Sequence, residues 1–202
     1  MTGKFITVEG VDGAGKSSHL QFIADEVSAR GRHVIVTREP GGTALAERLR
    51  SAILEEPMQP LAETLLIFAA RADHVGKVIA PALAAGSWVV CDRFTDATVA
   101  YQGAGKGVPA DFIDRLAHAA HAGLVPDRTL VFDCAYEVAR ERLALAGRQL
   151  DRFEREDRAF FERVRGAYLA LAKAEPARVR VIDASQDIAA IRRALGQHLD
   201  FN

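Results

Sequence analysis

Residues Gly10, Val11, Asp12, Gly13, Ala14, Gly15, Lys16 and Ser17 read G-V-D-G-A-G-K-S, which satisfies the pattern G-x-x-x-x-G-K-[ST] at every fixed position. Residues of these types at this spacing suit a polyphosphate. Glycines at 10, 13 and 15 let backbone N–H groups turn inward around phosphate oxygens. A helix starting near Lys16 adds its positive N-terminal end. Lys16 offers a mobile cation for the β- and γ-phosphates, and Ser17 a hydroxyl for Mg²⁺. The motif carries meaning only between a strand and a helix. The apolar run Phe5-Ile6-Thr7-Val8 precedes it, and Leu20, Ile23, Ala24 and Val27 follow at helical spacing.

Two further clusters could do chemistry. Asp92 ends an apolar run and Arg93 follows it directly. A carboxylate there can hold a magnesium-bound water, and an adjacent guanidinium can bridge phosphates. The segment Thr37-Arg38-Glu39-Pro40-Gly41-Gly42-Thr43 follows another apolar run. Arg38 could grip a second anion, Pro40 fixes a bend, and the two glycines permit a close backbone approach. Asp133 and Asp183 also end strand-like runs and are read as structural.

These residues need a frame. Five short apolar runs, Phe5–Glu9, His33–Thr37, Trp88–Cys91, Thr129–Asp133 and Val179–Asp183, alternate with helical stretches. That alternation predicts an α/β fold, a P-loop NTPase-type three-layer arrangement with a five-stranded parallel sheet flanked by helices. Helices are expected from the P-loop to Gly31, then over 44–54, 62–80, 111–122, 136–145 and 156–174, with a last one through Ile188, Ile191, Leu195 and Leu199. At 202 residues, without repeats or linkers, residues 1–202 read as a single domain. The carboxyl ends of parallel strands form the ligand crevice, so the three clusters should meet there.

Composition excludes several classes. The net charge is −1, which gives no basic field for nucleic acid. No apolar run approaches the ~20 residues of a membrane span. The first strand begins at once, which leaves no room for a signal-peptide core. Cys91 and Cys134 read as reduced, buried thiols of a cytosolic protein. His118 and His121 share a helix face without a third ligand nearby, so no metal site is expected there. A GTP switch would need N-K-x-D, and the only asparagine is Asn202. A nucleic-acid motor is disfavoured by size and charge. A nucleoside kinase of the same fold stays open on these grounds.

With further blocks the chain resembles bacterial thymidylate kinase nearly end to end. They are F-A-A-R-A-D-H-V (68–75), C-D-R-F-T-D-A-T-V-A-Y-Q-G-A-G-K-G (91–107), P-D-R-T-L-V-F-D (126–133) and L-D-R-F-E (150–154). The resemblance implies transfer of the ATP γ-phosphate to thymidine 5′-monophosphate with Mg²⁺, by a cytoplasmic homodimer. ATP would lie on residues Gly10 to Ser18, with Ser17 and Asp92 at the metal. By the same resemblance Asp12 lies near the acceptor sugar, Arg93 bridges the phosphates, and Arg38 lies near the acceptor phosphate. Arg71 donates to thymine O4, Thr98 and Gln102 read the pyrimidine edge, and Tyr101 packs under the sugar.

The chain departs from the family pattern at two points. Many members carry a stacking phenylalanine four residues before the arginine of the F-A-A-R block. Here Phe68 is three before Arg71, and Ile67 holds the fourth place. Phe68 is expected to stack on the base. Ala97 replaces a frequent serine. Residues 146–154 match the lid over ATP. The P-loop has Gly13 where the eukaryotic branch has an arginine, and the bacterial branch pairs such a loop with lid arginines. Arg148 and Arg152 are the candidates, with Arg152 expected to dominate because L-D-R is in register. The resemblance also implies a cis Glu39–Pro40 peptide.

Overall fold

The computed structural model describes residues 3–200. Strands β1 (Phe5–Gly10), β2 (Val34–Arg38), β3 (Trp88–Asp92), β4 (Arg128–Asp133) and β5 (Val179–Asp183) are all parallel, in the order β2-β3-β1-β4-β5. β1 is buried at every residue, since it has a neighbour on each side and helices on both faces. The edge strands β2 and β5 keep partly exposed positions. This is the burial expected of a covered parallel sheet, where central strands are continuous apolar runs.

Around the sheet run α1 (Ser17–Ala29), α2 (Ala44–Glu55), α3 (Pro60–His74), α4 (Ala80–Ala84), α5 (Thr95–Thr98), α6 (Ala110–His121), α7 (Tyr136–Leu145), α8 (Arg158–Ala174) and α9 (Ile188–His198). On one face Ile6, Val8 and Leu130 pack with Ile23 and Val27 of α1, Val164 of α8 and Leu195 of α9. On the other, Phe5, Val89 and Cys91 pack with Val75, Ile79 and Ala82. Each fully buried aliphatic side chain contributes about 1.5–3 kcal/mol, so these two layers supply the rigid floor of the site. Both cysteines are free and buried.

The expected helix over 62–80 runs from Pro60 to Ala84, with a wide π-turn at Val75–Ile79. Pro81 has no N–H and crowds the carbonyl of Lys77, which a wider turn accommodates. The helix expected from 156 starts at Arg158, because the Asp157 side chain caps it by accepting from Phe160 N. Residues 95–105, outside the expected helices, form α5 and a second wide turn, Val99–Gly105. Gly103 and Gly105 weaken the helical signal there. Asp133 is held by both ends of the Arg165 guanidinium, and Asp183 receives Ser185 N and its hydroxyl. Both strand-end aspartates are therefore structural. The Glu39–Pro40 peptide is cis.

β1 pairs with β3 on one side and β4 on the other, so the loops after these strands diverge and open a crevice. The register sets Val8 beside Asp92, and Asp92 beside Arg38. The three clusters singled out in the sequence thus share one end of the sheet.

Candidate active site

The loop after β1 turns tightly under α7. Gly13 has φ +82°, and a Cβ there would lie 2.4 Å from the Ala139 carbonyl oxygen. Nothing but glycine fits without moving α7, which is a physical reason for the absent P-loop arginine. Lys16 folds its ammonium back onto Gly10 O (3.0 Å) and Val11 O (2.9 Å), where it caps whatever the loop holds. Burial, then the Arg93 charge, lower its pKa against the pull of Asp12, Asp92 and Glu9. A cavity of about 790 Å³ opens over the loop, lined by Gly13, Lys16, Ser17, Ser18, Asp92 and Arg148 among others. Asp92 Oδ1 is buried there without a hydrogen-bond partner. A free carboxylate oxygen and the Ser17 hydroxyl bordering one cavity are the hard oxygen donors a magnesium ion and its waters require.

Arg93 has φ +70°, a left-handed backbone that turns the chain sharply out of β3. Its Nη2 donates to Asp12 Oδ1 (2.6 Å) and to the Tyr101 hydroxyl (3.0 Å), and the Tyr101 hydroxyl donates to Asp12 Oδ2 (2.9 Å). The guanidinium lies 4.6 Å from the Tyr101 ring centre. Burial alone would raise the Asp12 carboxyl; Arg93, Lys16 and the Tyr101 bond outweigh it and hold it below the ordinary range. Asp12 and Arg93 border the loop cavity and also a second one of about 90 Å³.

That second cavity is walled by Arg71, Thr98, Tyr101 and Gln102, with Pro40 and Ile67. Arg71 is 2 % exposed and tightly aimed. Its Nε donates to Glu39 Oε2 (2.6 Å), and its Nη2 to Phe94 O (3.0 Å) and Thr98 Oγ1 (3.1 Å). Glu39 is steadied in turn by His74 Nδ1 at 3.0 Å. Arg71 Nη1 is buried and has no partner. An unmatched buried donor costs about 1–3 kcal/mol, and a ligand acceptor would remove that cost.

Three expected site residues do not reach the cavities as expected. Phe68 is packed into a separate apolar cluster with Val108 and Ile113, behind Arg71, whose charge lies 4.7 Å from its ring centre. Ile67 lines the cleft instead, since neighbouring helical residues point about 100° apart. Arg38 turns away to pair with Glu47 at 2.9 Å on the surface. Arg152 leaves the P-loop cavity and binds Glu63 (2.5 Å) and the Ile53 carbonyl. Arg148 is the lid arginine that borders the loop cavity, paired with Glu154.

Other residues enter the site without a motif to mark them. Arg50 borders both cavities and donates to Pro40 O (2.9 Å). Arg142 reaches from α7 to Ala14 O (3.3 Å) and Ala184 O (2.8 Å), bracing the P-loop. Glu63, wholly buried, gathers Gln102, Lys106 and Arg152. In the sequence each is one charged residue among many on a helix; only the docking of the helices tells Arg50 from Arg48.

A family model described as thymidylate kinase matches residues 8–195. A thymidylate kinase of Bordetella petrii is 55 % identical over 197 residues, covering 98 % of this chain and 95 % of the relative. That of Cupriavidus necator is 54 % identical, covering 96 % and 97 %. The crystal structure of thymidylate kinase from Ehrlichia chaffeensis superposes with a TM-score of 0.78 at 32 % identity, covering 96 % of this chain and 98 % of that one.

Proposed function

The chain belongs to the thymidylate kinase family, and on that premise we propose that its cleft moves the γ-phosphate of ATP onto thymidine 5′-monophosphate, giving ADP and thymidine 5′-diphosphate. The observation that carries the reading is the wall of Asp12 and Arg93 shared by the two cavities. A donor phosphate on the P-loop and an acceptor phosphate in the second cavity would meet at that wall. Phosphoryl transfer needs positioning and charge neutralisation more than covalent help, and the site supplies both. Loop N–H groups and Lys16 hold the donor, Arg93 bridges the two phosphates, and Arg50 lies on the acceptor side. Arg71 Nη1 is free to donate to a pyrimidine carbonyl, and Tyr101 walls the sugar.

Ser17 and Asp92 are the residues that would hold magnesium, which when bound neutralises charge on the donor phosphates. Arg148, which borders the P-loop cavity, would add positive charge over the transferring group. The reading includes one kinase domain over 1–202 with its lid at 146–154, and a homodimer carried over from the family resemblance. Among the described residues no helix is long and apolar enough to cross a membrane. The two buried free thiols support a cytoplasmic setting. The test is ADP release over a panel of nucleoside monophosphates. Thymidine monophosphate should be the best acceptor, deoxyuridine monophosphate weaker, and purines near background. A comparable kcat/KM for a purine monophosphate overturns the reading.

A further inference from the structure

Glu63 lies outside every motif and touches neither phosphate site, yet it is 0 % exposed and fully partnered. Its Oε2 accepts from Lys106 Nζ (2.7 Å) and Arg152 Nη1 (2.5 Å), and its Oε1 accepts from Gln102 Nε2 (2.7 Å). All three partners present N–H donors, and a carboxylate facing donors only accepts hydrogen bonds. Gln102 must therefore turn its NH₂ toward Glu63. With its NH₂ held by Glu63, the amide offers its Oε1, an acceptor, to a ligand in the cavity that Gln102 lines. Beside it Arg71 Nη1 is an unpartnered donor.

We propose that Glu63 is a positioning residue for base recognition. By fixing the Gln102 amide, it makes the cavity read a ring N–H next to a carbonyl and reject a ring nitrogen next to an amino group. Thymine and uracil present the first pattern at N3–H and O4. Cytosine presents the second, which would face an acceptor with a lone pair and a donor with an NH₂. A site built from buried polar groups rejects such a mismatch strongly, because its own groups are left unpaired. The inference rests on the acceptor being a pyrimidine monophosphate.

The test compares kcat/KM for thymidine and deoxycytidine monophosphates in the wild type, Glu63→Gln, Gln102→Leu and the double variant. A glutamine at 63 can donate as well as accept, so it releases the Gln102 amide to flip. The thymidine-to-deoxycytidine ratio should fall at least ~10-fold in each single variant. The double variant should lose little more than either alone, since both act through one amide. A merely structural role would lower both acceptors together and leave the ratio unchanged, and an unchanged ratio in folded Glu63→Gln overturns the proposal. Additive losses overturn it too. Should Glu63→Gln not fold, Glu63→Asp, which keeps the charge but shortens the reach, should show the same fall; an intact ratio there overturns it. A wild type that ignores thymidine monophosphate would instead refute the proposed function.

Discussion

The Asp12 carboxylate and the Arg93 guanidinium meet at 2.6 Å, joining the loop after β1 to the turn after β3 across the end of the sheet. The pair is mostly buried and borders both cavities, so it ties their shared wall together. Arg93 also spans to the Tyr101 and Tyr168 hydroxyls, which a fork of several donors permits and a single ammonium does not. Arg93→Lys is therefore expected to lower kcat by at least ~10², with the fold intact by circular dichroism. Steady-state kinetics check this, and a kcat within threefold of wild type would remove Arg93 from the bridging role.

Glu9 gives a pH signature. It is wholly buried, accepting from Phe94 N (2.7 Å) and the Tyr168 hydroxyl (2.7 Å). Burial, with Asp96 adding to it, pushes its pKa up from 4.5 to about 8 against the pull of Arg93. The folded value exceeds the unfolded one, so the proton binds the native state more tightly. The stabilisation is complete below pH 4.5 and is lost as pH rises to about 8. Within that window the loss is at most about 1.4 kcal/mol per pH unit. Glu9→Gln carries no titrating proton and can keep both bonds. Its Tm should fall less than that of the wild type between pH 5 and 8; parallel curves would show that Glu9 titrates normally.

Gly13 should be intolerant of even one methyl group. Its φ of +82° costs an L-residue roughly 1–2 kcal/mol, and the added Cβ also strikes the Ala139 carbonyl. Gly13→Ala is expected to lower Tm by several degrees and to weaken ATP binding, as the loop or α7 shifts. An unchanged Tm and unchanged ATP affinity would mean that α7 yields freely.

The sheet and P-loop were legible because their signals are local. Burial on both faces makes each central strand a continuous apolar run, and G-x-x-x-x-G-K-S demands its own context. What was hidden depends on how helices dock. Phe68 and Ile67 are neighbours whose roles exchange with a 100° rotation of α3. Arg38 was placed correctly at the end of β2, yet Glu47, one helix later, holds its side chain on the surface while Arg50 faces the cleft. The wide turn that carries Tyr101 and Gln102 has no periodicity to betray it, and Glu63 acquires its partners only when α3, that turn and the lid converge.

The lid separates the two arginines by role. The L-D-R register favours Arg152, but its guanidinium binds Glu63 and the Ile53 carbonyl and lies 4.4 Å from the Phe153 ring centre, outside the P-loop cavity. Arg148 borders the P-loop cavity, half exposed, and holds the Glu154 carboxylate with both ends of its guanidinium. A cation supplied to a transferring phosphoryl group is worth roughly 10³–10⁵ in rate. Arg148→Ala is accordingly expected to lower kcat by at least ~10² with a small change in acceptor KM. Arg152→Ala is expected to act the other way: it loosens the Glu63–Gln102 wall, so the KM for thymidine monophosphate should rise while kcat stays within tenfold. Kinetics with both substrates varied distinguish the two. A large kcat loss confined to Arg152→Ala would return the transition-state charge to Arg152, and would require its guanidinium to leave Glu63 during turnover.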